Sequence, residues 1–232
     1  MDQHPSAFDL LALIPAYNEG RHITPVIQKA RTYLPVLVVD DGSKDDTAAQ
    51  AEAAGAHVLR QVPNQGKGAA LKAGFRYALE QGCAGLVMLD ADGQHDPDEI
   101  PKFIDAYTRS GADLVIGQRS FQNMPPVRRL ANWIGTQAFS WAIGRYIPDN
   151  QSGYRLLSRR MIAAMLASQE SSFEFEVEMI VECIRRGFAI AWVPIRTIYG
   201  EEKSHIRPIP HTYHFFRMVW QTYKTMRRSK PS

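Results

Sequence analysis

Four consecutive apolar residues, Leu86-Val87-Met88-Leu89, run straight into Asp90-Ala91-Asp92-Gly93-Gln94-His95. A short apolar run closed by a polar turn reads as a buried strand, and this one delivers two carboxylates to the loop at its carboxyl end. Val36-Leu37-Val38-Val39 does the same before Asp40-Asp41-Gly42-Ser43, and Leu10-Leu11-Ala12-Leu13-Ile14-Pro15 opens into Tyr17-Asn18-Glu19-Gly20. Segments of helical length lie between these runs, at Ile23 to Arg31, Ser43 to Ala54 and Gly66 to Gln81. Apolar strands alternating with helices predict a mostly parallel sheet covered by helices on both faces. Open sheets of that class bind ligands at the carboxyl ends of their strands, where these acids stand.

The alternation continues with strands at His57 to Gln61 and Asp113 to Gly117 and a helix at Pro97 to Arg109. Beyond Arg119 the pattern changes. Met124-Pro125-Pro126 punctuates the chain, and Val127 to Ile147 is a helical stretch without acids that carries Arg128, Arg129, Trp133 and Trp141. Ser152 to Leu157 reads as a returning strand, Arg159 to Ala167 and Phe175 to Arg186 as helices, and Ala189 to Tyr199 as a further strand.

A chain of 232 residues, 45% hydrophobic and 22% charged, suits one globular, soluble domain or one domain with an appendage. Its two cysteines, Cys83 and Cys183, lie in apolar segments and suggest neither a disulfide framework nor a zinc site. A reducing, cytoplasmic setting follows. No signal peptide is visible, and the longest uncharged stretch, Leu130 to Gly144, is too short and too polar to span a membrane. The net charge of +3 is uneven, since no acid follows Glu202 while basic residues continue to Lys230.

Asp90 and Asp92 are hard oxygen donors, and placed together at a strand end they suit Mg²⁺ or Mn²⁺, which in turn neutralises a diphosphate. The competing reading makes Asp92-Gly93 a polar turn, with Asp96 or Asp98 capping the next helix. Helix capping competes likewise for Asp40 and Asp41.

Six pieces taken together resemble the inverting family-two glycosyltransferases of the GT-A fold, and within them the polyprenyl-phosphate (dolichol-phosphate) mannosyl- and glucosyltransferases. They are Ile14 to Glu19, Val38 to Ser43, Asn64 to Gly68, Asp90 to His95, Gly117-Gln118-Arg119 and Asp149 to Arg155. The resemblance implies an α/β nucleotide-diphospho-sugar transferase fold over residues 1–205, with a nucleotide-sugar-binding half at 8–119 and an acceptor half at 120–205. A basic amphipathic helix over 206–232 completes this division.

By the same resemblance, Pro15, Tyr17 and Glu19 line the nucleotide base and ribose, with Val39 and Asp41 completing that wall. Lys67, Gly68, Asp90 and Ala91 also fall to the nucleotide sugar, and Asp90, Asp92 and Gln94 form the metal site. Arg119 holds diphosphate or acceptor, because a guanidinium matches phosphate oxygens bidentately. Arg155, Lys203 and Arg207 are further cations for bound phosphate, the last two in a late loop at Glu201 to Arg207. His95 is read as structural support.

The expected catalytic set is Asp92, Arg119 and Asp149, the role of Asp149 depending on the nucleophile. A sugar hydroxyl must lose a proton, which would make Asp149 the candidate base; a lipid phosphate is already anionic and needs none. The expected partners are a nucleotide sugar and polyprenyl phosphate or another lipid acceptor, with no nucleic acid. Absence of a Gln-x-x-Arg-Trp motif argues against a processive polymerase. If His211 to Met226 is helical, Tyr213, Phe216, Trp220 and Tyr223 share a face opposite basic residues, the form of an interfacial membrane anchor on the cytoplasmic side. The alternatives are that this face packs on the protein's own core, that the acceptor is a glycan or small-molecule hydroxyl, or that the chain binds a nucleotide sugar without turnover.

Overall fold

The computed structural model describes residues 9–119, 126–167, 175–196, 219–220, 222–224 and 226–227. Five strands follow the order in which the sequence announces them: β1 (Leu10–Ala16), β2 (Val36–Asp40), β3 (His57–Arg60), β4 (Gly85–Met88) and β5 (Leu114–Arg119). The helices α1 (Ile23–Ala30), α2 (Thr47–Ala53), α3 (Lys67–Glu80) and α4 (Ile100–Ser110) connect them. Then come α5 (Pro126–Ile143), β6 (Arg155–Ser158), α6 (Arg159–Leu166), α7 (Phe175–Arg185) and β7 (Ile190–Ile195). The strands form one sheet in the order β3-β2-β1-β4-β6-β5-β7. All pairs are parallel except those of β6, which runs antiparallel between β4 and β5.

Alternation along each strand divides the core in two. Leu11, Leu13, Leu37, Val39, Leu86 and Met88 face one way, against Leu71 and Phe75 of α3, Phe139 of α5, Met161 of α6 and Ile180 of α7. Leu10, Ala12, Ile14, Val38, Val87 and Leu89 face the other, against Ile23 and Ile27 of α1 and Phe103 of α4. Strands buried on both faces have no room for polar residues until they end, so the acids appear only at their carboxyl ends.

Helix α2 begins at Thr47, not Ser43. Residues between β2 and α2 are taken up in a loop stitched to the one after β1: the backbone N–H groups of Asn18, Glu19 and Gly20 donate to Ser43 Oγ, Thr47 Oγ1 and Asp45 Oδ2. The helix expected from Pro97 likewise opens with a single 3₁₀ turn over Pro97–Glu99, capped by the Asp96 side chain, and becomes α-helical at Ile100. For Asp96, then, the capping reading holds. No helix among the described residues is long and apolar enough to cross a membrane.

Candidate active site

The ends of β1, β2, β4 and β5, the start of α3 and the loop before β6 carry the motif residues. Asp90 follows Met88 at the spacing that returns a side chain to the same face, which is the face covered by α3. Lys67, the first residue of α3, places Nζ 2.8 Å from Asp90 Oδ1 and 3.0 Å from Glu176 Oε1 on α7. Burial raises the Asp90 carboxyl, but the Lys67 ammonium outweighs it and holds the group at about 2. Asp92 moves the other way, raised by burial and by the charge of Asp90. The backbone N–H of Gln94 donates to Asp92 Oδ1 at 2.9 Å, so the turn fixes this second carboxylate.

This pair fits a divalent cation. Two carboxylates raise each other's cost of ionisation, and one already holds an ammonium. Among the described residues no group of three or more His, Cys, Asp and Glu could hold a metal. Further ligands would therefore be Gln94, phosphate oxygens and water, the kind of set in which Mg²⁺ or Mn²⁺ commonly sits.

His95 is buried and accepts the backbone N–H of Asp90 at Nδ1, 3.0 Å away. Burial lowers its pKa, and an accepting Nδ1 makes the ring neutral with its proton on Nε2. The ring lies against Tyr154, centroids 5.0 Å apart, and Tyr154 stacks on Phe103 at 4.4 Å. His95 is thus the support for the Asp90 backbone that the sequence suggested. Gly153 closes the other side: a Cβ there would stand 3.0 Å from Asp90 Oδ2 and 3.5 Å from His95 Cε1.

Arg119, at the end of β5, pairs bidentately with Asp149, Nε to Oδ2 at 2.8 Å and Nη2 to Oδ1 at 2.9 Å. Asp149 also accepts from the backbone N–H groups of Arg119, Gln151 and Ser152, and is only 2% exposed. The two catalytic candidates are one unit, in which the carboxylate orients the guanidinium.

Other expected residues divide. Tyr17 is 43% exposed beside Glu19, as a residue meeting a ligand must be. Asp41 accepts from the backbone N–H of Gln65 at 2.8 Å and of Gly66 at 2.7 Å, tying the end of β2 to the loop that opens α3. Gly42 must be glycine there, since φ is +76° and a Cβ would lie 2.8 Å from Asn64 N. Pro15 pairs with Val39 in the sheet, but the Val39 side chain is buried among core residues, as is that of Ala91. The side chains of these two are therefore out of a ligand's reach, leaving only their backbone for the expected role. Gly68 is buried in the first turn of α3.

Arg155 requires correction. It is fully buried, and its guanidinium donates to the carbonyls of Ser152, Glu176 and Asn150. Burial lowers its pKa to about 10. It ties β6 to α7 and is out of a substrate's reach. Lys203 and Arg207 lie outside the described residues, as do the side chain of Arg128 and most of His211 to Met226. Glu176 went unnoticed in the sequence because nothing local separates it from any acid in the first turn of a helix.

Residues 12–167 match the family model described as glycosyl transferase family 2. Undecaprenyl-phosphate mannosyltransferase of Micrococcus luteus is 34% identical over 207 residues, covering 83% of this chain and 84% of its own. Polyprenol monophosphomannose synthase of Mycolicibacterium smegmatis is 32% identical over 201 residues, covering 80% of this chain and 76% of its own. Among solved structures, glucosyl-3-phosphoglycerate synthase of Mycobacterium tuberculosis, in complex with Mn²⁺, UDP-glucose and phosphoglyceric acid, superimposes with a TM-score of 0.73 at 21% identity. That match covers 96% of this chain and 81% of the other. The fold is the GT-A glycosyltransferase fold. The chain belongs to glycosyl transferase family 2 and is a glycosyltransferase.

Proposed function

We propose that this glycosyltransferase moves a hexose from a nucleotide sugar, GDP-mannose or UDP-glucose, to polyprenyl phosphate with inversion, at the cytoplasmic face of a membrane. The observation that carries the acceptor class is the state of Asp149. A hydroxyl nucleophile needs a base with an open lone pair in reach of its proton. Asp149 is buried and spends its oxygens on Arg119 and three backbone N–H groups. A phosphate acceptor dispenses with the base and calls for an oriented cation, which Arg119 is. The relatives in Micrococcus luteus and Mycolicibacterium smegmatis carry polyprenyl-phosphate mannosyltransferase names, which supports the same acceptor.

In this reading Tyr17 and Glu19 border the base and ribose, and the loop fixed by Asp41 brings Gly66 and Gly68 toward the donor. Asp90, Asp92 and Gln94 hold Mg²⁺ or Mn²⁺, which when bound neutralises the departing diphosphate. Arg119, held by Asp149, positions the incoming phosphate oxygen, and no side chain has to take a proton. Residues 8–119 serve the donor and 120–205 the acceptor, with Lys203 and Arg207 as cations closing on phosphate.

The membrane surface enters through α5 and the residues after it. Trp133, Ile134, Trp141, Tyr146 and Trp220 are all exposed, and Arg129, Arg145, Lys224 and Arg227 are exposed with them. Exposed aromatic residues interspersed with cations suit an anionic lipid interface. Val219 and Thr222 are nonetheless buried, and Tyr223 stacks on Trp141 with centroids 4.7 Å apart. The carboxyl-terminal segment thus packs partly on the protein itself and shares its outer surface with α5.

The test is release of nucleoside diphosphate from GDP-mannose and UDP-glucose in parallel, with Mn²⁺ or Mg²⁺, with and without a short-chain polyprenyl phosphate. Release from one donor that requires the lipid phosphate is the expected result. Equal release without it, or release only with a glycan hydroxyl, rejects the acceptor.

A further inference from the structure

Lys67 stands on the metal-site carboxylate. Its ammonium is 2.8 Å from Asp90 Oδ1 and 3.0 Å from Glu176 Oε1, so one positive charge serves two carboxylates from different elements. The Lys67 side chain is 43% exposed and Glu176 13%. The lysine is long, flexible and open to solvent, whereas Glu176 sits in α7 with its backbone carbonyl bonded by buried Arg155. Of the two, the lysine is the one able to let go.

We propose that Lys67 is a resident counter-cation of the metal site, competing with the metal for Asp90 and retained by Glu176 when the metal wins. The proposal rests on the reading that Asp90 and Asp92 hold a divalent ion. Without any cation, Asp90, Asp92 and Glu176 would repel one another in a half-buried setting. With Lys67 in place part of that negative charge is offset and the metal-free site is held in shape. The same ammonium sets a positive charge beside any incoming cation, so the metal alone binds weakly. A diphosphate changes the balance, because its negative charge gives the displaced ammonium a new partner. Metal and nucleotide then favour each other's binding, and the coupling is reciprocal.

The experiment measures Mn²⁺ affinity of the full chain by electron paramagnetic resonance of free Mn²⁺, with and without nucleoside diphosphate, for wild type, Lys67→Met, Lys67→Arg and Asp92→Ala. Lys67→Met is expected to bind Mn²⁺ about tenfold more tightly in the absence of nucleotide, since removing a unit charge a few ångströms away is worth that much or more. It also gains less from added diphosphate, while Lys67→Arg stays near wild type. A lysine acting only as a strut lowers thermal stability and leaves Mn²⁺ affinity unchanged or weaker, and that result overturns the proposal. If Lys67→Met does not fold, Lys67→Met/Glu176→Gln leaves Asp90 as the one bare carboxylate partner and must bind Mn²⁺ more tightly than Glu176→Gln alone. Should wild type and Asp92→Ala both fail to take up Mn²⁺ even with diphosphate, the metal reading itself is lost, an outcome distinct from an unaltered Lys67 variant.

Discussion

At the scale of single residues, the site is a set of charges each held by a neighbour from another element. Asp90 is held by Lys67 and, through its backbone, by His95, with Gly153 leaving room beside it, and Arg119 is held by Asp149. Asp92→Ala removes a carboxylate of the proposed metal site and is expected to abolish nucleoside diphosphate release while leaving the melting temperature near wild type; normal release in metal-free buffer would show that no metal is involved. Asp149→Asn keeps the shape of the side chain but loosens its grip on Arg119. Turnover with polyprenyl phosphate should fall about 10²-fold, the usual cost of a displaced positioning group. The profile of kcat/KM against pH should keep its form, whereas loss of its acidic limb would mark Asp149 as a base. Gly153→Ala pushes a methyl group against Asp90 and His95, and a weaker Mn²⁺ response with intact folding is the expected reading. Of this residue-level picture, the motif acids and Arg119 were legible in the sequence because strand-end carboxylates and a strand-end arginine are local signals. Glu176 and the true place of Arg155 were not, since both depend on α7 arriving beside β6.

At the scale of elements, β6 is the piece that joins the two parts of the sheet, and Asp113 anchors it away from the site. The Asp113 carboxylate accepts from Ser158 Oγ at the end of β6, from the Ala189 backbone N–H before β7, and from Arg160. Burial raises this carboxyl, but those donors, Arg160 foremost, outweigh it and hold it below the ordinary carboxylate range. The unfolded chain therefore takes up a proton at higher pH than the folded one, and stability is lost as pH falls below about 4. Asp113→Asn should cost about 2 kcal/mol and lower the melting temperature by about 5 °C near neutral pH, with a smaller difference in acid. Calorimetry across pH 3 to 7, on the order of the carboxylate range, checks both the size and the sign. An equal deficit at every pH would remove Asp113 from the pH dependence. Helix α2 and the 3₁₀ turn before α4 differ from their expected starts for one reason: side chains at Ser43, Asp45, Thr47 and Asp96 bond to loop backbone before the helical ladder begins.

At the scale of the whole molecule, the exposed aromatic and basic residues of α5 and the carboxyl-terminal segment are brought together by the stack of Tyr223 on Trp141. Trp133→Ser with Trp220→Ser should reduce co-sedimentation with anionic vesicles several-fold and leave activity on a short, soluble polyprenyl phosphate largely intact; unchanged co-sedimentation would return this surface to another role. Removing residues 211–232 is a harsher change, because it also strips Val219 and Tyr223 from the core and from Trp141. The sequence by itself determined the alternating strands and helices, the two-faced sheet and the acids at its carboxyl ends, because hydrophobic period and turn chemistry are written within a few residues of each element. Only the tertiary structure decided that Asp149 belongs to Arg119, that Lys67 spans Asp90 and Glu176, and that Arg155 is buried. Those pairings join residues far apart in the chain, and a charge takes its role from whatever the fold sets beside it.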